Sequence, residues 1–286
     1  MRKSSKKTLS KTRSLQGIAS VCNSYDIVGD IAIAHLPESE EERQRIAETI
    51  LNIHKNVKTV LAQSGGVCGE FRLRELKYVA GENKTATFHR ESGCIFSVDV
   101  EKCYFSPRLS YERLRTARQV QKDEVVVNMF AGVGCFSILI ARQANPGKVY
   151  SIDVNPIACE CMERNVKINK VYGKVVPLLG DAKDLVQRKL CGVADRVLMP
   201  LPEKAFQYLP DAVSALNKCG GWVHYYDFEH ASKEEDASEK AKMKVLRKLA
   251  DLKIDCEVSF ARVVRSVGPN WYQVVLDVRV MKDGTM

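Results

Sequence analysis

Apolar and polar positions change rhythm once along the chain, near residue 110. Before that point the rhythm is mixed. SYDIVGDIAIAHLP, residues 24–37, alternates around Gly29-Asp30 and predicts a strand or hairpin. SEEERQRIAETILNIHK has a serine start, acids in its first turn and apolar residues at helical spacing, so it predicts a helix. VKTVLAQ predicts a strand, SGGVCGEFR a glycine-rich turn, and TATFHRESGCIFSVDVEKCYFS a set of β-hairpins turning at ESG. Residues 15–109 therefore predict a small α+β module.

From residue 110 strand and helix alternate. SYERLRTARQVQ predicts a basic amphipathic helix. VVVNMF, KVYSIDV, VVPLLGDA, ADRVLMPLP and GGWVHYYDFE predict strands, and CFSILIARQ, NPIACECMERNVKINK, EKAFQYLPDAVSALNK and SEKAKMKVLRKLADL predict helices among them. Strands so continuously apolar imply a parallel sheet covered on both faces. CEVSFARVVRSV and NWYQVVLDVRVM close the chain as strands with no helix between, which predicts an antiparallel end to that sheet. The fold class is α/β, a Rossmann-like and mostly parallel sheet preceded by a small α+β domain.

Ligands of such sheets bind outside the carboxyl ends of the strands. Gly132 and Gly134 of MFAGVG stand there, where glycine lets backbone approach a ligand. Asp153 ends the next strand, 19 residues beyond Gly134, placed to take both hydroxyls of a ribose. Gly180-Asp181-Ala182 ends the third, where an acid can meet an adenine edge. A dinucleotide site wants a further small residue, which Ser137 supplies. The pattern thus leaves a dinucleotide and a purely structural sheet open. The third acid and the strand-to-proline turn MPLP favour S-adenosylmethionine.

Composition narrows the classes. Hydrophobic residues are 45% of the 286, enough for a packed core and against global disorder. No apolar run approaches the roughly 18 residues of a membrane span, and no secretory signal is visible. The ten cysteines include no CxxC pair and often lie in apolar segments. They read as reduced thiols of a cytoplasmic protein, not a disulfide frame or a zinc site. No metal cluster is visible, and His224 reads as a packed strand residue. Net charge is +9, and six of the first thirteen residues are Lys or Arg with no acid. Residues 1–14 read as a disordered basic tail, either a solubilising leader or a contact for nucleic-acid backbone.

YDIVGDIAI, FRLRELKYVAGE, YFSPRLSYERLR, MFAGVG, DVNP, GDA, ADRVLMPLP and WVHYY run in order from about residue 24 to the C-terminus. Together they resemble the tRNA (guanine-37 N1)-methyltransferases of archaea and eukaryotes and their relatives in wyosine synthesis. The resemblance implies a small middle domain, here residues 15–109, contributing to the tRNA and active site. It implies a methyltransferase domain over 110–286, using S-adenosylmethionine. Many members carry a further leading domain that touches the tRNA elbow. This sequence starts at the middle domain, so overall tRNA shape would be read without that module. The implied partner is the tRNA anticodon loop and stem, with no membrane, and the chain a monomer.

By motif position the resemblance implies Glu112 as general base for guanine N1–H and Arg72 as partner of O6. Tyr104 would line the methionine side of the cofactor, with Arg113 nearby. Phe130, Gly132, Gly134, Asp153, Val154, Asp181 and Ala182 would contact it. Read without the family, Glu112 and Arg113 are a solvated helix face, Arg72 a surface charge on a strand, and Tyr104 core. Two positions depart from the family pattern. Asn128 stands where members often have Asp before the glycine turn. Pro200-Leu201-Pro202 replaces the usual Asn-Leu-Pro, and Pro200 has no side-chain donor. Whatever the Asn does for the guanine or the cofactor would come from backbone carbonyls, water or another residue. The implied reaction is methyl transfer to N1 of guanine 37, 3′ to the anticodon. One alternative is a wyosine-pathway enzyme at the same position, methylating a tricyclic guanine derivative or transferring the aminocarboxypropyl group; Arg108-Leu109 argue against the transfer. The other is a non-catalytic tRNA-binding protein.

Overall fold

The computed structural model describes residues 25–282, so the tail predicted at 1–14 and the first residues of the module predicted from 15 lie outside the described residues. Two compact units follow one another, one ending at Leu109 and the other beginning at Ser110.

In the leading unit, β1 (Tyr25–Val28) and β2 (Ile31–Ala34) form an antiparallel hairpin. Its turn holds Gly29 at φ 58°, where a Cβ would stand 2.3 Å from Thr87 Oγ1, so only glycine fits. α1 (Glu40–Ile53) starts at Ser39, whose Oγ accepts from Glu42 N–H, and three glutamates sit against the positive end of its dipole. The helix buries Ile46, Ala47 and Ile50 in a cluster with Val60 and Ala80. Each isoleucine or valine buried there stabilises by about 1.5–3 kcal/mol. The helix also carries the chain over, so that β3 (Thr59–Cys68) runs parallel to β2. β4 (Leu73–Gly81) completes the sheet, in the order β1-β2-β3-β4. β5 (Ala86–Glu91) and β6 (Cys94–Asp99) make a separate hairpin.

Two details differ from the sequence expectation. Ser64-Gly65-Gly66 does not turn; it lies inside β3, where the register slips between Gln63 and Val67, and the turn is confined to 69–72. LRELKYVAG forms β4 although only Ala80 in it is buried, so its apolar signal is too weak to read.

The second unit is a seven-stranded sheet. β7 (Val125–Asn128), β8 (Lys148–Asp153), β9 (Val175–Leu179), β10 (Arg196–Met199) and β11 (Gly220–His230) are parallel. β12 (Asp255–Gly268) and β13 (Trp271–Met281) are antiparallel, as the missing helix between them implied. The order β12-β13-β11-β10-β7-β8-β9 reverses direction between β7 and β10. α2 (Ser110–Gln119), α3 (Cys135–Gln143), α4 (Pro156–Ile168), α6 (Pro202–Ala215) and α7 (Ala237–Asp251) accompany the sheet. A short α5 (Ala182–Leu185) continues into a π turn over Val186–Leu190, too brief for periodicity to reveal. α4 is capped by Asn155, whose Oδ1 accepts from Ile157 and Ala158 N–H, with Pro156 preset at its first position. Val127, Met199, Val223, Tyr225 and Leu276 are among its buried core. Among the described residues no helix is long and apolar enough to cross a membrane.

Candidate active site

The glycine turn follows β7, beside the reversal of strand order where open parallel sheets bind ligands. Gly132 and Gly134 take φ of 56° and 89°, and a Cβ on Gly134 would lie 2.8 Å from Met162 Cγ. Asn128 supports the turn from beneath. It is fully buried, donates to Ser137 Oγ at 3.1 Å and accepts from Phe130 N–H at 3.4 Å. Asp153 ends β8, with Oδ2 accepting from Gly132 N–H at 2.6 Å and Oδ1 from Asn155 N–H at 2.9 Å. Burial pushes its carboxyl above the ordinary value, against the pull of those N–H groups. Each oxygen keeps lone-pair capacity for a diol. Val154 beside it is 36% exposed.

After β9, Asp181 Oδ1 caps α5 through Lys183 and Asp184 N–H, and its Oδ2 accepts from Tyr208 O–H at 2.6 Å. The Tyr208 ring meets Phe130 edge-on at 5.3 Å, and Ala182 is buried. Phe130, Tyr208 and Asp181 thus form an apolar corner with one carboxylate, suited to a flat heterocycle bearing an amine. Together with the glycines and Asp153, these residues fit the adenosine part of S-adenosylmethionine. Pro200 is half-buried at the end of β10 and offers a backbone carbonyl only; Pro202 opens α6.

Glu112 and Arg113 do not lie on a solvated face: they are 1% and 3% exposed, in the first turn of α2. Glu112 accepts from three donors. Arg115 Nε at 2.9 Å and Tyr226 O–H at 3.2 Å meet Oε2, and the Arg262 guanidinium meets Oε1. Burial and the neighbouring Glu112 charge raise the Tyr226 phenol, so it stays a donor. Its ring packs edge-on against Phe136 at 6.1 Å, two residues beyond Gly134. One aromatic pair therefore separates the carboxylate from the glycine turn.

Behind Glu112 the charges continue. Arg115 pairs with both oxygens of Asp277 at 2.5 and 3.1 Å, and Asp277 also contacts His224 Nδ1 at 2.7 Å. Arg196 meets His224 Nε2 at 2.7 Å and holds Glu124. Arginine cannot accept, so Nε2 is the accepting nitrogen and Nδ1 carries the proton. Burial and the nearby Arg196 and Arg115 push His224 below its ordinary value and keep it neutral. Burial would raise Asp277, but His224 and Arg115 outweigh it and hold the carboxyl well below the usual range. Among the described residues no group of three His, Cys, Asp or Glu could hold a metal.

In the leading unit Arg72 is not on a strand. It ends the 69–72 turn at φ 54°, uncommon for a residue with a Cβ, and its guanidinium lies 4.6 Å from the Tyr104 ring centre. The same motifs are knitted together nearby. Asp26 accepts from Arg74 at 3.3 Å and from Arg108 at 2.7 Å, and Arg74 also donates to Phe105 O at 3.1 Å.

Residues 87–259 match the TRM5/TYW2 methyltransferase domain, and residues 5–85 the TYW2 N-terminal domain. The chain belongs to the TRM5/TYW2 methyltransferase family. It is 42% identical over 259 residues to tRNA (guanine(37)-N(1))-methyltransferase Trm5b of Pyrococcus abyssi, covering 90% of this chain and 74% of that one. It is 38% identical over 275 residues to tRNA 4-demethylwyosine(37)-methyltransferase Taw21 of Saccharolobus solfataricus, covering 96% and 99%. The crystal structure of Methanocaldococcus jannaschii Trm5 in complex with adenosine superposes with a TM-score of 0.77 at 35% identity, over 95% of this chain and 79% of that one. For a TRM5/TYW2 member, sequence reasoning finds the glycine turn and the acids at strand ends. It misses Tyr208, Tyr226 and Arg262, whose partners lie 27, 114 and 150 residues away. The only hint was WVHYY, a family segment whose second tyrosine has no role visible in the pattern.

Proposed function

We propose that this chain transfers the methyl group of S-adenosylmethionine to N1 of guanine 37 of tRNA. The observation that carries the reading is Glu112, a buried carboxylate joined through Tyr226 and Phe136 to a turn that fits adenosine. When bound, S-adenosylmethionine supplies an electrophilic methyl group and leaves as the neutral thioether with the C–S electron pair. Guanine N1 carries a proton at neutral pH, and its lone pair is free to attack only once that proton leaves. Glu112 takes the proton. Charge then spreads to O6, where the family motif places Arg72. Asp153, Gly132 and Gly134 hold the ribose side, and Phe130, Val154, Asp181 and Ala182 the adenine. Tyr104 and Arg113 line the methionine side, and Pro200 contributes backbone. The base leaves its stack in the anticodon loop to reach Glu112. We place the chain in the cytoplasm as a monomer on the anticodon loop and stem; its nine described cysteines, all free thiols, support a reducing compartment.

Incubation with unmodified tRNA and cofactor, followed by nucleoside mass spectrometry, should give N1-methylguanosine. A tRNA with adenine at position 37 should give none. Methylation elsewhere overturns the reading. Pro200, in place of the usual Asn, and the likeness to Taw21 favour a second substrate, 4-demethylwyosine at the same position. Product from tRNA carrying that base, with none from guanine, would replace the first reading by the second.

A further inference from the structure

We propose that Arg262 is a further catalytic residue of this methyl transfer, a second donor to the O6 that the family motif assigns to Arg72, on the guanine whose N1 proton Glu112 takes. The inference rests on the function proposed above.

Three observations carry it. The first is placement. Glu112 accepts on Oε1 from Arg262 and on Oε2 from Arg115 and Tyr226. Of these donors Arg262 reaches furthest toward solvent, with 35% of its side chain exposed against 11% for Arg115. A base arriving from solvent therefore meets Arg262 on its way to Glu112. N1 and O6 are neighbours on the Watson–Crick edge, so a guanine aiming N1–H at Glu112 sets O6 beside the donor that touches the same carboxylate.

The second is spare capacity. Arg115 is committed to Asp277 and Glu112. Among the described residues Arg262 meets one acceptor, Glu112, and its buried Nε has none. Buried N–H groups are nearly always paired, and this one finds no partner among the described residues. The guanidinium is steadied instead by the Tyr111 ring, 4.7 Å from its centre. It is planar, always charged and rich in donors, the properties a developing oxyanion needs.

The third is how β12 delivers it. The β12–β13 register slips between Val258 and Phe260 and again between Val263 and Arg265. Those bulges flank Ala261-Arg262-Val263, and bulges re-aim side chains next to active sites. Glu112 and Arg262 also belong to one unit, so one sheet and its helices set their spacing. Arg72 belongs to the other unit, stacked on Tyr104.

The test is a cycle between Arg262 and O6. Single-turnover rates are measured for the full chain and Arg262→Met, on tRNA with guanine or 6-thioguanine at position 37. Sulfur accepts hydrogen bonds poorly and so weakens the same contact from the substrate side. Arg262→Met should slow methylation of guanine by about 10²–10³. The thio substitution should act less on the variant than on the unaltered chain, a coupling on the order of tenfold or more. Equal thio effects in both proteins overturn the proposal, because a structural role would be additive. If Arg262→Met is unfolded by circular dichroism, Arg262→Lys enters the cycle under the same criterion. Glu112→Gln inactive with Arg262→Met at full rate sinks this inference and leaves the function standing. An unaltered chain that methylates neither tRNA overturns both.

Discussion

Glutamine at position 112 keeps the volume of the side chain and reverses part of its hydrogen bonding. The carboxylate accepts from Arg115 Nε, Tyr226 O–H and Arg262. An amide has one accepting oxygen and a donating NH2. With its oxygen toward Arg115 and Tyr226, the NH2 confronts Arg262. Turned the other way, it confronts Arg115, while the tyrosine hydroxyl can rotate to accept. Neither guanidinium can accept, so one buried contact is lost in either pose, at about 1–3 kcal/mol of stability. At about 2–4 °C per kcal/mol, melting should fall by roughly 2–12 °C. The rate loss is separate. Removing a general base costs about 10²–10⁴, or roughly 2.7–5.4 kcal/mol of barrier. The assay is single turnover at saturating cofactor and tRNA, below the lowered melting point. Part of the loss should return at higher pH, where hydroxide removes the N1 proton unaided. A lowered melting point with an unchanged rate at neutral pH would refute the reasoning. Glu112 would then be a structural charge, and the proton would leave by another route.

Asp153→Ala removes the acceptor for a ribose diol and should weaken S-adenosylmethionine by about 1–3 kcal/mol in calorimetry; unchanged affinity with the fold intact sinks that assignment. Gly134→Ala should destabilise by about 2–5 kcal/mol, from left-handed strain and crowding against Met162, read as a lower denaturant midpoint; an unshifted midpoint shows the turn relaxes. His224 is buried neutral with its pKa lowered, so the unfolded chain binds the proton first as pH falls. Its contribution is therefore full above about pH 6.5 and lost below it. A melting point that stays constant from pH 8 to 5 would contradict this. Deleting residues 1–13 should lower tRNA affinity and flatten its salt dependence without moving the methylated position; an unaltered salt slope would make the tail a solubilising leader.

What was legible follows from how information lies along a chain. CFSILIARQ reads as a helix and forms Cys135–Gln143, an apolar segment whose residues from Cys135 to Ile140 are all buried. The turn and acids at the ends of β7, β8 and β9 were legible because a parallel sheet puts ligand-facing residues at strand ends. SGG misled because glycine permits a turn without requiring one, and pairing with β4 keeps it extended. The charges around Glu112 were illegible. Arg262 and Asp277 come from two late strands, and no period links them to a helix 150 residues earlier. For the same reason Glu112 and Arg113 looked solvated: a helix rich in charge reads as surface until its partners are known.

β12 has a second consequence. Among the described residues it is the outer strand of its sheet, fourteen residues long, paired only to β13, with Phe260, Val263 and Val267 exposed. Drawn straight, such a rim would template a strand from another molecule. Its three slips of register break the row of peptide groups a visiting strand would need. On the proposed role of Arg262, the same irregularities that interrupt the rim also aim a side chain at Glu112. Deleting Ser259, Val264 and Val267 to straighten the strand would complete the ladder, withdraw Arg262, and leave a long rim open to fibrous growth.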